Sequence, residues 1–168
     1  SVFTLTKAMP GDEALCMEII ADGRQFQQEQ GFVQWTEAYP ALPDIAEDIE
    51  THRAYLLRED GEVLGYLCLD FDGEPAYDAI TGGSWLCDEP YAVLRRLALN
   101  ARGRGRGLTR VLFDLAAERS RERGITYLRL NTGLQNSRMQ HILEKNGFTR
   151  RGIIVFKGSH KYPYDKRI

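Results

Sequence analysis

The segment from Tyr91 to Leu115, YAVLRRLALNARGRGRGLTRVLFDL, constrains this chain more than any other stretch. Its first part, Tyr91 to Leu99, reads as a strand with two central arginines. A loop follows directly, with Gly103, Gly105 and Gly107 interleaved with Arg102, Arg104 and Arg106. Leu108, Leu112, Phe113 and Ala116 then recur on one face of a helix expected to end near Gly124. So many glycines cost conformational entropy and arginines this close repel one another, which points to a backbone or ligand requirement. A strand that runs through a glycine loop into a helix aims unpaired N–H groups and the positive end of a helix dipole at one point, where a phosphate fits. Glycine lets phosphate oxygens approach the main chain, and the arginines can add peripheral charge.

Around this segment the apolar pattern alternates between strand and helix periods. Val2 to Thr6 alternates as a strand, and Pro10, Gly11 and Asp12 open a helix marked by Ala14, Leu15, Ile19 and Ile20. The signal weakens from Phe26 to Tyr39, and a second helix is expected from about Asp44 to Thr51, after Pro43. The runs from Ala54 and from Glu62 form a hairpin across Asp60-Gly61, a dipeptide suited to the positive φ angles of a type I′ turn. Asp72 to Pro90, rich in glycine, proline and acids, reads as a surface loop of the kind that lines sites. Further on, ITYLRL reads as a strand, Asn136 to Lys145 as a short helix closed by Asn146-Gly147, and Phe148 to Phe156 as a last strand. No repeat or linker divides the chain, so a single domain over residues 1–168, of mixed α/β class, is expected.

With 168 residues and 43% hydrophobic content, the chain can bury one sizeable core. A net charge of -2 speaks against general adhesion to nucleic acid, although Arg102 to Arg123 makes the charge locally uneven. RNA binding through the arginine loop would call for interleaved aromatics and an overall basic charge, and both are missing. Cys16, Cys68 and Cys87 are widely spaced and outside any CxxC pattern, which suggests reduced thiols and speaks against a disulfide framework or a metal site. Cys87 has no histidine nearby in sequence and reads as a packed thiol. Neither a secretion signal nor a long uncharged apolar run is visible, so a cytoplasmic setting away from membranes is expected.

Two common phosphate motifs do not fit: GxxxxGKS/T is absent, and the evenly spaced glycines fail GxGxxG. The loop resembles R/Q-x-x-G-x-G/A, the phosphate-binding motif of the GNAT acetyltransferase superfamily, which lies between that family's fourth strand and third helix. Read from Arg102, RGRGRG satisfies the pattern fully; read from Arg104, RGRGLT departs only at Thr109. The Arg104 register is preferred, because it puts Leu108, Leu112 and Phe113 at the family's apolar places, whereas the Arg102 register would bury Arg110. RRLAL is similar to the family's splayed fourth strand, and NSRMQHILEKNGF to its helix-to-strand signature. Together these cover Tyr91 to Phe156, and PYAVLRRLAL and QWTEAYP are also similar to a group of uncharacterised bacterial members. The fold this implies is a central, mostly antiparallel sheet with splayed strands 4 and 5, flanked by helices.

The function implied by the resemblance is N-acetyl transfer, with acetyl-CoA as co-substrate and an amine of a small molecule or peptide as acceptor. The pantetheine would lie between the splayed strands and pair with Leu97, Ala98 and Leu99. The pyrophosphate would sit on the N–H groups of Arg104, Gly105, Arg106, Gly107, Leu108 and Thr109, and Asn136 would contact the pantetheine arm. The amine would attack directly, through a tetrahedral oxyanion that a strand N–H can stabilise. A lysine-like amine, with a pKa of about 10.4, must first lose a proton. Glu74, Asp78, Asp88 and Glu89 are the unranked acids for that task, each otherwise a solvated loop charge. Many family members carry a tyrosine in the segment that here reads ILEKNGF, with Leu143 at the tyrosine place, and His141 lies on another face of the helix. The missing tyrosine keeps a second function open, a module that binds or senses acyl-CoA without turnover. Trp35, Tyr39, Tyr77 and Trp85 either wall the acceptor pocket or complete the core beneath long loops. Arg95 and Arg96 are expected on opposite faces of a strand, so one can reach the acceptor cleft and the other solvent or an acid. The resemblance also allows a homodimer.

Overall fold

Asp60 and Gly61 take φ angles of 50° and 88° and close a two-residue turn, in a computed structural model that describes residues 1–168. The strands they join, β2 (Ala54–Glu59) and β3 (Glu62–Asp70), pair antiparallel, with an irregularity between Leu57 and Arg58. β1 (Phe3–Lys7) pairs antiparallel with β2, Phe3 opposite Glu59. All three lie essentially within the first of two units into which the chain divides, Ser1–Leu69 with Arg95–Ala116. The second unit is Asp70–Leu94 with Ala117–Ile168.

In the first unit, α1 (Glu13–Glu29) buries Cys16, Ile19 and Ile20, and α2 (Leu42–Glu50) buries Ile45, Asp48 and Ile49, both at i, i+3, i+4 spacing. With Trp35, Leu56, Tyr66 and Ala98 these side chains make up much of the unit's core. α2 begins ahead of the expected Asp44 because Pro43 is tolerated in a first turn. The Asp44 carboxylate reaches back to accept the Ala41 N–H at 2.8 Å, so this acid caps from inside the helix. α1 runs on to Glu29, past the point where the apolar pattern fades. β4 (Ala92–Leu99) follows β3 in the sheet, and a Cβ at Gly65 would lie 3.0 Å from the Ala98 carbonyl oxygen. α3 (Leu108–Glu122) buries Leu108, Leu112 and Phe113 and exposes Arg110, the burial pattern expected of the Arg104 register.

In the second unit, the start of β4 pairs parallel with β5 (Tyr127–Gly133), at Ala92↔Leu128 and Val93↔Arg129; the sheet is otherwise mostly antiparallel. β5 pairs with β8 (Ser159–Arg167) from Tyr127↔Arg167 to Gly133↔Lys161. α4 (Ser137–Lys145) follows β5. In place of the single strand expected from Phe148 to Phe156, β8 pairs with two short strands, β6 (Thr149–Arg150) and β7 (Ile154–Phe156). The interruption has a partner: Thr81 N–H donates to the Ile153 carbonyl at 3.0 Å, and Ile153 N–H donates back at 2.8 Å. Pro163, which has no N–H for a ladder, stands opposite this break. The segment expected as a surface loop, Asp72 to Pro90, contains a short 3-10 turn, Pro75–Ala79, that buries Tyr77 completely against Val93 and Ile154. No helix is long and apolar enough to cross a membrane.

A Cβ at Gly152 would sit 2.4 Å from the Thr81 carbonyl oxygen, and that carbonyl belongs to the paired bridge. Gly152→Ala is therefore expected to cost about 1–3 kcal/mol through overpacking. A thermal melt checks it; an unchanged midpoint would mean that the 81–83 segment shifts freely.

Candidate active site

Asn100 organises the glycine loop. It is buried; its N–H donates to the Leu64 carbonyl at 2.9 Å, its Nδ2 donates to the Val63 carbonyl at 3.0 Å, and its Oδ1 accepts the Gly103 N–H at 3.0 Å. Beyond this anchor, Gly105 and Gly107 take φ angles of 75° and 71°, left-handed values that glycine adopts without strain, and a Cβ at either would project into open space. α3 starts at Leu108, so the N–H groups of its first turn have no helical partner behind them and the positive end of its dipole faces the loop.

Each arginine of the loop faces an acid. Arg102 pairs with Glu62 at 2.7 Å and Arg106 with Glu59 at 2.9 Å, while Arg104 lies 4.7 Å from the Phe26 ring centre and 3.8 Å from Glu29. The hydrogen bond from Arg106 holds the Glu59 carboxyl below its ordinary range and lifts Arg106 in turn. The peripheral charge expected of these side chains is thus matched locally.

Leu97, Ala98 and Leu99 lead into the loop, with Ala98 buried and the two leucines half-buried. Just before them Arg96 takes φ 53° in mid-strand. A residue with a side chain is uncommon in this region, and holding it there costs on the order of 1–3 kcal/mol. The strict alternation expected of Arg95 and Arg96 is interrupted at this point. Arg96 is the arginine that meets an acid: its Nε donates to Asp48 Oδ2 at 2.8 Å, its Nη2 to Asp48 Oδ1, and its Nη1 to Tyr39 Oη at 2.7 Å. Tyr66 Oη donates to Asp48 Oδ2 at 2.6 Å. Burial opposes the charge on Arg96, but the bonds to Asp48 together with the surrounding electrostatics hold the guanidinium above its ordinary value. Burial and then the Asp48 charge push the Tyr66 hydroxyl up, so it stays a donor. Sequence reasoning misses Asp48, and the signal that could have found it is an acid sharing the apolar stripe of α2 with Ile45 and Ile49. Trp35 takes the second of its two expected places: it is buried in this unit's core, with its N–H bonded to Gln27 Oε1 at 2.8 Å. Tyr39 is half-buried beside the Arg96 guanidinium.

In the second unit, Tyr77 completes the core, and its Oη accepts a hydrogen bond from Asn131 Nδ2 at 2.9 Å. Trp85 is half-buried on it, with Nε1 donating to the Tyr77 carbonyl at 2.8 Å. Among the candidate acids, Glu74 accepts the Ala76 N–H at 3.1 Å and caps the 3-10 turn, and Asp78 and Asp88 are exposed. Glu89 binds Arg167 through both oxygens, at 3.0 and 2.7 Å, and those bonds hold its carboxyl below the ordinary range. Asn136 caps α4, its Oδ1 accepting the Met139 N–H at 3.0 Å; Leu143 is fully buried and His141 exposed. Two further side chains, unrecognised in the sequence, organise residues 85–91. Arg129 lies 4.2 Å and 4.1 Å from the Trp85 and Tyr91 ring centres and donates to the Cys87 carbonyl at 2.7 Å. Asp165 accepts from Tyr127 Oη at 2.6 Å, Arg151 Nε at 2.7 Å and the Leu86 N–H at 2.9 Å.

Residues 20–148, from α1 through the end of α4, match the family described as Acetyltransferase (GNAT) family. The chain belongs to the GNAT acetyltransferase family. Among solved structures, a GNAT-family acetyltransferase from Streptococcus agalactiae is 30% identical, with a TM-score of 0.88 over 99% of this chain and 95% of that one. AAC(6')-Ib in complex with ribostamycin and coenzyme A is 21% identical, with a TM-score of 0.70 over 99% of this chain and 94% of that one. The PaiA N-acetyltransferase from Thermoplasma acidophilum, in complex with coenzyme A, is 16% identical, with a TM-score of 0.73 over 100% of both chains. These last two likenesses show the GNAT fold alone. No curated protein matches the chain in sequence. The GNAT match includes the glycine loop, β4 and α4, while β6, β7 and β8 lie beyond it.

Proposed function

We propose that this acetyltransferase moves the acetyl group of acetyl-CoA to a primary amine of a small cationic molecule or a peptide. The observation that carries the reading is the loop itself: in a GNAT chain, two left-handed glycines with open space at their Cβ positions stand before the start of α3. On this reading the N–H groups from Arg104 to Thr109 hold the pyrophosphate, and the main chain of Leu97 to Leu99 receives the pantetheine. Acetyl-CoA supplies the activated thioester, and the chain orients it and receives the amine's proton. Arg167 stabilises the charged form of Glu89 and so weakens it as a base. Leu143 gives α4 no hydroxyl at the family's tyrosine place, so solvent protonates the leaving group.

Charge supports a cationic acceptor. From Gln25 to Thr51, and again from Glu59 to Leu94, the sequence has no lysine, arginine or histidine, against six and nine acids respectively. Glu29, Asp48, Glu59, Glu62 and Glu89 are paired with arginines from other parts of the chain, and the remaining acids give an approaching amine a net attractive field. A related fold, the aminoglycoside acetyltransferase AAC(6')-Ib, is known in complex with coenzyme A and kanamycin, which supports carrying a small-molecule amine over to this chain.

Calorimetric titration of the purified chain with acetyl-CoA tests the cofactor half of this reading. Release of CoA in the presence of polyamines, peptide amines and acidic amino acids tests the acceptor half. Saturable binding and turnover confined to cationic amines are expected. Absence of acetyl-CoA binding would overturn the proposal.

A further inference from the structure

The Arg96 backbone raises a question that core packing does not answer. A left-handed residue with a side chain persists only where its surroundings over-determine it, and this one directly precedes Leu97. Its guanidinium is gripped from three elements of the first unit: Asp48 of α2, Tyr39 from the segment before α2, and Cys68 Sγ of β3 at 3.5 Å. The Arg96 and Asp48 side chains are 11% and 4% exposed. A buried ion pair is a weak device for stability, since apolar residues of similar volume often serve as well. What the bidentate pair adds is direction, because a planar fork bound at both prongs fixes its own backbone.

We propose that Asp48 is a positioning residue for the strand that receives the acyl-CoA arm: by holding the Arg96 guanidinium it sets the left-handed backbone at Arg96 and so the placement of Leu97 to Leu99. This inference rests on the assignment of Leu97 to Leu99 made under the proposed function. Asp48 lies on the apolar stripe of α2, where helix packing alone would be served by an apolar residue. Tyr66 adds a third hydrogen bond to the carboxylate and leaves it little freedom to rotate.

The test compares two ligands, acetyl-CoA and 3′-phospho-ADP, which has the phosphates but lacks the pantetheine arm. Their dissociation constants are measured for the native chain, Asp48→Asn and Arg96→Lys. Acetyl-CoA affinity is expected to fall about tenfold or more in both variants, and 3′-phospho-ADP affinity to stay within about twofold. Loss of folded protein weakens both ligands by the same factor, so the ratio isolates the strand. Should Asp48→Asn not fold, Arg96→Lys, which keeps the charge and loses the fork, carries the comparison. An unchanged ratio, with acetyl-CoA still bound by the native chain, overturns the role of Asp48 and leaves the function standing. A native chain that binds no acetyl-CoA overturns both.

Discussion

Asp165→Ala is expected to lower stability by about 2–4 kcal/mol, the cost of leaving the buried Tyr127 hydroxyl unsatisfied and of taking the carboxylate from the partly exposed Arg151. Asp165 is 1% exposed, and its three donors come from distant parts of the second unit: β5, the break between β6 and β7, and the segment before β4. Alanine would leave the Arg151 guanidinium without its carboxylate and two further donors unsatisfied. Burial, the largest cause that raises the Tyr127 hydroxyl in the native chain, remains in the variant, so the hydroxyl is not expected to compensate by ionising near neutral pH. For a chain of this length the loss corresponds to a fall of roughly 10 °C in the thermal midpoint. Denaturant unfolding followed by tryptophan emission suits the measurement, since Trp85 sits beside Arg129 in this unit. Asp165→Asn, which keeps an acceptor oxygen, should lose less; its own loss against the native chain reads the charge, and the further loss in alanine reads the acceptor. A loss below about 1 kcal/mol for alanine would show that water replaces the carboxylate there.

The second large effect concerns binding. Gly107→Glu is expected to weaken acetyl-CoA by about a hundredfold or more, roughly 2.7 kcal/mol. Glutamate at φ 71° strains the loop backbone and brings a negative charge to the mouth of the α3 dipole. The fold should tolerate the change, because a Cβ at this position meets nothing within 4 Å. Arg106→Ala is the informative contrast: its side chain already faces Glu59, so its removal is expected to weaken acetyl-CoA less than about tenfold. Calorimetry with a parallel melt separates binding from folding. Native affinity in Gly107→Glu would remove the pyrophosphate from this loop.

The parts of the molecule legible in the sequence are those whose cause is local. Asp60-Gly61 announces its turn because few dipeptides take two positive φ angles, and the strand, glycine loop and helix after Tyr91 announce themselves by a change of period. Asn136 is visible as a helix start and does cap α4. β8 is not legible: it carries Pro163 and many charges, and its entry turn, Lys157-Gly158, has the same left-handed geometry as Asp60-Gly61 with a weaker dipeptide signal. The aromatics divide for a similar reason. Nothing in composition tells that Trp35 and Tyr77 are buried while Tyr39 stays half-exposed on Arg96, because burial depends on which distant strands lie beneath them. The polar networks are hidden most deeply, since Asp48 meets Arg96 and Asp165 meets Tyr127 only after long loops have closed.

The pairing of the loop's arginines with Glu29, Glu59 and Glu62 bears on how the protein behaves in a crowded cell. A stretch that reads as an arginine-rich patch projects little long-range field once each cation has its acid, and exposed pairs of this kind are screened further by salt. Nucleic acid, which sheds its condensed counterions when rows of unpaired cations neutralise its phosphates, gains little here. A ligand that places its phosphates directly against the main chain meets fixed dipoles that salt screens far less. Discrimination at this loop is therefore expected to be set by contact range, with an ordinary polyanion competing weakly against a ligand that reaches the main chain.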